Sequence, residues 1–352
     1  MTKHPLALFL LLWLCALTTS AQRTLWVADS LDRTPIAHVL ITDATSGKLL
    51  SMTDKDGRAT LPKAIARVGV SHLAYQGKLA TARDTIWLSK AVRNVAEVVV
   101  ASAPAEYYRL RSLVRTYQYV DSIPVNFVDA VVDFYVNAKG TQLDYKALRL
   151  DAYQNAEYIR QMHLRRGAVI ESNNAIINWL LNPHLSTRNK ALQIDASHAI
   201  RHKSGLEVGR LAPTDGGYVA TIDLLLPSDT AVKTLFGRSV QLLSSSLEQT
   251  FPSSINVQQI APTDMTSYRR VTRRNTWSKK HPTVVHLTEI QEITVLDRRR
   301  MAKKEVDAIK MDTEWTHRSH SLPTTDDAPT TPLPANIQQH IGKELQLLPY
   351  KE

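Results

Sequence analysis

Residues 24–101 constrain the fold more than any other part of the chain. Short apolar runs alternate there with turn residues: Leu25-Trp26-Val27, then Pro35-Ile36-Ala37-His38-Val39-Leu40-Ile41, then residues 48–52 and 58–61. Val68-Gly69-Val70-Ser71-His72-Leu73-Ala74, Thr85-Ile86-Trp87-Leu88 and Val95-Ala96-Glu97-Val98-Val99-Val100 follow. Asp29-Ser30, Thr45-Ser46-Gly47 and Asp54-Lys55-Asp56-Gly57 separate the runs. Gly57 is placed to take positive φ, where a residue without Cβ meets no steric penalty. Seven strands in so short a stretch, with turns every 8–12 residues or so, predict a small antiparallel β-sandwich.

At 352 residues the chain has room for two or three domains, each with its own core. Lys3 and His4 precede an apolar run over residues 6–17, and Thr18-Thr19-Ser20-Ala21 supplies small residues for cleavage after Ala21. That is the layout of a secretory signal peptide over residues 1–21. The run is short of the roughly 20 residues that span a bilayer. Cys15 is the one cysteine and lies within the signal, preceded by Trp13 and Leu14 rather than by the small residues of a lipidation site. A mature chain without cysteine has no disulfides, which fits a bacterial envelope protein with large cores better than a small animal secreted domain. The expected location is the periplasm, the outer-membrane surface or the cell surface, with no transmembrane helix after signal removal.

The formal charge of +10 on an exported chain points away from nucleic acid. It points toward an acidic envelope protein surface, a glycan or an anionic lipid; spread charge that keeps the protein soluble is the alternative.

The order V-x-D, P-I-x-x-V-x-I, a G-K turn, T-D-x-D-G-x-x-x-L-P and V-x-V-S-H-L-x-Y resembles the carboxypeptidase regulatory-like domain. It is carried by Val27, Asp29, Pro35, Ile36, Val39, Ile41, Thr53, Asp54, Asp56, Gly57, Leu61, Ser71, Leu73 and Tyr75. The resemblance covers residues 24–101 and departs at Ala74, where the pattern has glycine. It implies a transthyretin-like sandwich of the kind found in Gram-negative envelope proteins. Its implied role is accessory: binding or spacing, without catalysis.

Beyond it, Tyr107, Leu110, Leu113, Val114 and Tyr117 recur at helical spacing and predict a helical connector over residues 103–125. Residues 129–136 predict a strand ended by Lys139-Gly140. This order resembles two-part envelope proteins built on the same module, a likeness that implies no activity. Residues 144–170 fit helix and strand equally, and residues 174–181 predict a short helix stopped by Asn182-Pro183. Strand signals return over residues 217–225, 239–246, 256–260, 266–279 and 282–296. A mainly β, α+β domain over residues 126–315 is expected, built as a curved antiparallel sheet or half-barrel. Such a sheet could hold a lipid-like ligand in its concave face. Residues 316–352 are expected to be a Pro/Thr-rich tail, extended over 322–334, with a short amphipathic helix over 337–348.

Candidate chemistry is sparse. His286-Leu287-Thr288-Glu289 has the H-x-x-E spacing of two zinc ligands in a hydrolase, but on an alternating strand residues three apart point to opposite faces. His198, His202, His317 and His320 lack a matching carboxylate. Asp54-x-Asp56-Gly57 resembles part of a calcium loop but lacks its downstream carboxylates, and reads as a hairpin turn. No nucleophile elbow or phosphate-binding glycine loop occurs. No cofactor and no catalytic or metal site is expected, and the chain reads as a non-enzymatic binding or scaffold protein. One surface carries content: Tyr268, Arg269, Arg270, Arg273, Arg274, Trp277, Lys279 and Lys280, followed by Arg298, Arg299, Arg300, Lys303 and Lys304. Together these could bind phosphate-bearing lipid or glycan. The alternative is a solvated strand whose cations block edge pairing.

Overall fold

A computed structural model describes residues 22–91, 106–166, 178–187, 189–214, 216–235, 237–313, 320–325, 328–329 and 332–350. The predicted signal peptide, the run 95–100 and His317 lie outside them. The chain divides after Lys90 into two compact units, and the expectation of a mainly β chain holds in both.

The first unit has seven strands: β1 (Gln22–Asp29), β2 (Leu40–Asp43), β3 (Leu49–Met52), β4 (Arg58–Pro62), β5 (Arg67–His72), β6 (Tyr75–Thr81) and β7 (Thr85–Leu88). They form a three-stranded sheet, β4-β1-β7, and a four-stranded sheet, β3-β2-β5-β6. Alternation turns Leu25, Val27, Ala59, Leu61, Ile86 and Leu88 of the first sheet toward Ile41, Val68 and Val70 of the second. The sandwich is not wholly antiparallel, because β1 runs parallel to β7. The predicted run 35–41 becomes strand only from Leu40, since His38 has φ 57°. Thr53 fixes this entry: its buried hydroxyl donates to Ile36 O (2.7 Å) and accepts from Val39 N (2.8 Å). Asp54 Oδ1 accepts from the backbone N–H of Asp56 and Arg58 (2.9 Å each), so the DxDG segment is a side-chain-stabilised turn. It links strands of different sheets rather than forming a hairpin. Gly57 takes φ 70° as expected, and a Cβ there would lie 2.5 Å from Val27 O.

The second unit begins with strands β8 (Tyr107–Val120), β9 (Ile123–Asn137) and β10 (Leu143–Gln154), followed by helix α1 (Ala156–Arg166). Next come β11 (Leu192–Ile194), β12 (Ala199–His202), β13 (Glu207–Thr214), β14 (Gly217–Asp223), β15 (Lys233–Leu235), β16 (Arg238–Pro252), β17 (Ser267–Ser278) and β18 (Val285–Met301). Helix α2 (Lys303–Asp307), helix α3 (Ala335–Gln338) and β19 (Gln346–Leu347) complete it. The strands build one open sheet of twelve, ordered β11-β12-β13-β14-β16-β17-β18-β8-β9-β10-β19, with β15 beside β16. Sheets this wide curl rather than stay flat.

The predicted helical connector is strand β8. Its even positions, among them Leu110 and Val114, and its odd positions, among them Leu113 and Tyr117, are both buried. A strand covered on both faces loses the alternation that reveals it, and chance spacing then mimics a helix. Asp121 and Ser122, both at positive φ (47° and 70°), close the β8–β9 connection as a two-residue hairpin. The ambiguous stretch 144–170 divides into β10 and α1, with Asn155 Oδ1 accepting from Tyr158 N (3.0 Å) at the helix start. Of the predicted helix 174–181 and its stop, the described residues hold no helix, 179–182 being turn and bend, and residues 257–259 are a 3₁₀ turn, not a strand.

The described residues of the tail do not form a free linker. Asp312, Leu322 and β19 pair in succession with Tyr145, Leu150 and residues 153–154 along the outer edge of β10. Ser321, Asn336, Ile337, His340 and Leu345 are buried. The predicted terminal helix shrinks to the four residues of α3.

Candidate binding surfaces

The register of β16, β17, β18, β8 and β9 sorts the side chains of the large sheet onto two faces. One face carries Leu110, Val128, Phe134, Leu150, Leu211, Ile222, Leu247, Tyr268 and Ile293. This face, where a lipid-like ligand was expected, is filled by the chain itself. Residues 178–187 cross it: Trp179 is fully buried, edge-on to Phe134 at 6.5 Å. Leu185 N donates to Gln249 Oε1, and Tyr268 OH donates to Pro183 O (3.4 Å). Burial pushes the Tyr268 phenol well above its ordinary pKa.

The opposite face carries a row of charges. Glu248, Arg269, Glu292, Arg115, Asp129 and Asp151 stand directly opposite one another on six successive strands. Arg269 Nε lies 3.1 Å from Glu292 Oε1, and Arg115 Nε lies 2.6 Å from Asp129 Oδ1. Arg149 pairs with Asp129 and, at 3.7 Å, with Asp151. A second row places Arg111 in two-point contact with Asp133, 2.8 and 2.9 Å. The C-terminal segment meets this face through Pro332 O, which accepts from Arg115, and Tyr350 OH, which donates to Asp151 Oδ1 (3.0 Å).

The basic stretch of β17 therefore does not form one surface. Arg269, Arg273 and Trp277 share the charged face, while Tyr268, Arg270 and Arg274 lie on the other. Arg269 is buried in its ion pair. Arg270 Nη1 donates to Asn182 Oδ1 (2.9 Å), and Arg274 pairs with Glu289 at 3.3 Å. Burial pulls the Arg273 guanidinium below its ordinary pKa. Lys279 and Lys280 are exposed beyond the strand end. In the second basic run, Arg298 donates to Met265 O (2.8 Å), Arg299 pairs with Glu305 and Lys303 with Asp307. Strand parity, combined with the acidic residues of β9 and β18, was the available signal for this dispersal.

His286 and Glu289 lie on opposite faces of β18. His286 Nδ1 is 2.7 Å from Asn275 Oδ1, and Glu289 is held by Arg274 and Gln118. The pair cannot ligate one ion. His198 sits in the turn before β12, and His202 Nδ1 bonds Ser204 Oγ (2.9 Å).

The site that sequence reasoning missed is a cleft of about 440 Å³ between residues 180–192 and the β12–β14 end of the sheet. Leu180, Leu181, Leu192, Val208, Leu224 and Leu226 form its apolar walls; Asn182, His184, His202, Asp223 and Asp229 form its polar part. Leu181 is 84% exposed. His184 Nδ1 donates to Asn182 O (2.9 Å), and Asn189 Nδ2 donates to His184 O (2.6 Å). Burial lowers the His184 pKa, opposed by the bond to Asn182, so the ring is held neutral at neutral pH. Asp223 Oδ1 accepts from Leu225 N (2.9 Å), and Asp229 lies 3.5 Å from Lys233 Nζ. These contacts hold the polar part of the lining, while Leu192 and Val208 belong to the core and Leu180, Leu224 and Leu226 pack against it.

A scan of protein-family models, a search of curated proteins and a search of solved structures each find no match to this chain. Among the described residues no helix is long and apolar enough to cross a membrane.

Proposed function

We propose that this chain is an exported, non-enzymatic binding or scaffold protein of a bacterial envelope, its first unit a carboxypeptidase regulatory-like module. The observation that carries the reading is the way polar groups in the second unit are committed. The charged face is a row of mutual ion pairs, and His184, His202 and Asp223 each bind the chain itself at the cleft. Such an arrangement holds a shape for recognition. The buried Thr53 clamp and the Asp54 turn give two residues of the family-like pattern a structural job, which supports the module assignment. The test is fractionation of cells producing the full chain, followed by affinity purification from the envelope fraction. Recovery of the processed chain with a protein, glycan or lipid is expected. Retention in the cytosol, or recovery of the chain alone, would sink the reading.

A second reading, a carrier of a lipid-like ligand, is favoured by the cleft, whose volume falls within the roughly 300–1,000 Å³ of small-molecule sites. It places the ligand in that cleft rather than on the filled face of the sheet. Native mass spectrometry of membrane-extracted protein should show an adduct that Leu224→Asp removes. Protein free of adduct counts against it.

A further inference from the structure

We propose that the outward face of the three-stranded sheet in the first unit is a docking platform for an anionic polysaccharide. The inference rests on the chain being a binding protein, but not on the cleft of the second unit.

Alternation that sends Leu25, Val27, Ile86 and Leu88 into the core sends Trp26 and Trp87 outward, 45% and 38% exposed. A single exposed aromatic is ordinary; two on neighbouring strands of one face form a patch. Trp87 stands opposite Ala28 and Trp26 opposite Thr85. Ordinary strand spacing and rise put the two tryptophan Cα atoms about 8 Å apart. The indole of Trp26 is held in place through Nε1, which donates to Asp56 O (2.6 Å).

Each ring carries a cation. Arg33 Cζ lies 4.2 Å from the Trp87 centroid and Arg58 Cζ lies 5.7 Å from that of Trp26. Neither guanidinium has an ion pair among the described residues. Arg111, Arg115 and Arg269 of the second unit's large sheet, by contrast, are each matched to a carboxylate. A guanidinium that lies over an indole and has no carboxylate partner suits a sugar acid: the carboxylate takes the two-point arginine contact, and the C–H face of the sugar ring packs on the exposed indole surface that the arginine leaves uncovered.

The surroundings favour a saccharide over a membrane surface. Thr24, Thr60 and Thr85 lie on the same outward face, Thr24 directly opposite Thr60. Their hydroxyls match a ligand rich in hydroxyl groups, whereas hydrocarbon would leave them without partners.

The test is isothermal titration of the purified full chain with polygalacturonate, with neutral dextran and phosphatidylglycerol-containing vesicles in parallel. Binding to polygalacturonate that weakens with added salt is expected. Trp87→Ala should weaken it about three- to tenfold. The pair Arg33→Gln with Arg58→Gln, which touches only surface groups, should remove most of the salt dependence while circular dichroism stays unchanged. Absence of polygalacturonate binding, equal binding by these variants, or binding to vesicles in place of polysaccharide would overturn the proposal. An adduct in the cleft seen by native mass spectrometry would be unaffected by any of these outcomes.

Discussion

Arg269 and Glu292 face each other across β17 and β18 with 3.1 Å between Nε and Oε1, their side chains 1% and 7% exposed. The pair sits in the middle of a row that continues through Arg115 to Asp129. A buried pair of this kind adds little net stability over an apolar substitute, because desolvation offsets attraction. Removing one partner leaves the other charge stranded. Arg269→Met is therefore expected to destabilise the second unit by about 3–5 kcal/mol. The double variant Arg269→Met with Glu292→Met should lose less than either single change. Urea unfolding followed by far-ultraviolet circular dichroism measures both, and a double variant worse than the singles would refute the argument.

Trp179 is the side chain on which the filled face depends. It is fully buried, edge-on to Phe134 at 6.5 Å and to His184 at 6.2 Å. Trp179→Ala should cost about 3–5 kcal/mol, in the range for aromatic truncation in a core. The same change should disturb the cleft, since residues 180–184 line it directly after Trp179. Denaturant midpoints and near-ultraviolet circular dichroism check the two halves of this statement. A stable variant with an unchanged spectrum would mean that residues 178–187 do not form part of the core.

What could be read in advance follows from how local the cause was. Six of the first unit's seven strands were legible because each is short, one face is wet, and turns such as Asp54–Gly57 announce themselves through side chains that bond their own backbone; β6 was missed, since it is almost wholly exposed and carries no apolar alternation. The β1–β7 parallel pairing was not legible, because it joins residues about sixty apart in sequence. Strand β8 was misread because both its faces are buried; Arg109, Arg111 and Arg115 look solvent-bound until Asp297, Asp133 and Asp129 arrive on neighbouring strands. The basic stretch of β17 failed as one surface for the related reason that period-2 alternation divides it. The cleft left no signal, since its walls come from segments that are each unremarkable alone.

The C-terminal segment closes the edge of β10. Asp312, Leu322 and β19 take up its outward backbone groups in turn, and Ser321 Oγ accepts from Ala152 N (3.1 Å) while donating to Leu348 O (3.0 Å). An uncovered strand edge is a template for pairing with another chain. Truncation before residue 320 should give dimers and larger species in light scattering at concentrations where the full chain is monodisperse. Tyr350→Phe removes one hydrogen bond, that to Asp151, and should cost about 1 kcal/mol without association. A monodisperse truncation would show that the edge is protected by other means.

His184 gives the second unit a pH dependence of definite sign. Burial holds its folded pKa below the ordinary value, with the bond donated to Asn182 O opposing the shift. The unfolded chain, with His184 near 6.5, then takes up the proton before the folded chain does. The contribution is constant above about pH 6.5 and stability falls as the pH drops below it, until the folded imidazole is protonated as well. His184→Asn keeps a donor for Asn182 O and cannot titrate. Its urea-unfolding free energy should therefore fall less than that of the unsubstituted protein between pH 7 and pH 5. Comparing the two slopes cancels every contribution common to both proteins. Equal slopes would show that His184 takes up its proton as readily in the folded protein as in the unfolded one, and the cleft wall would then carry a positive charge in mild acid.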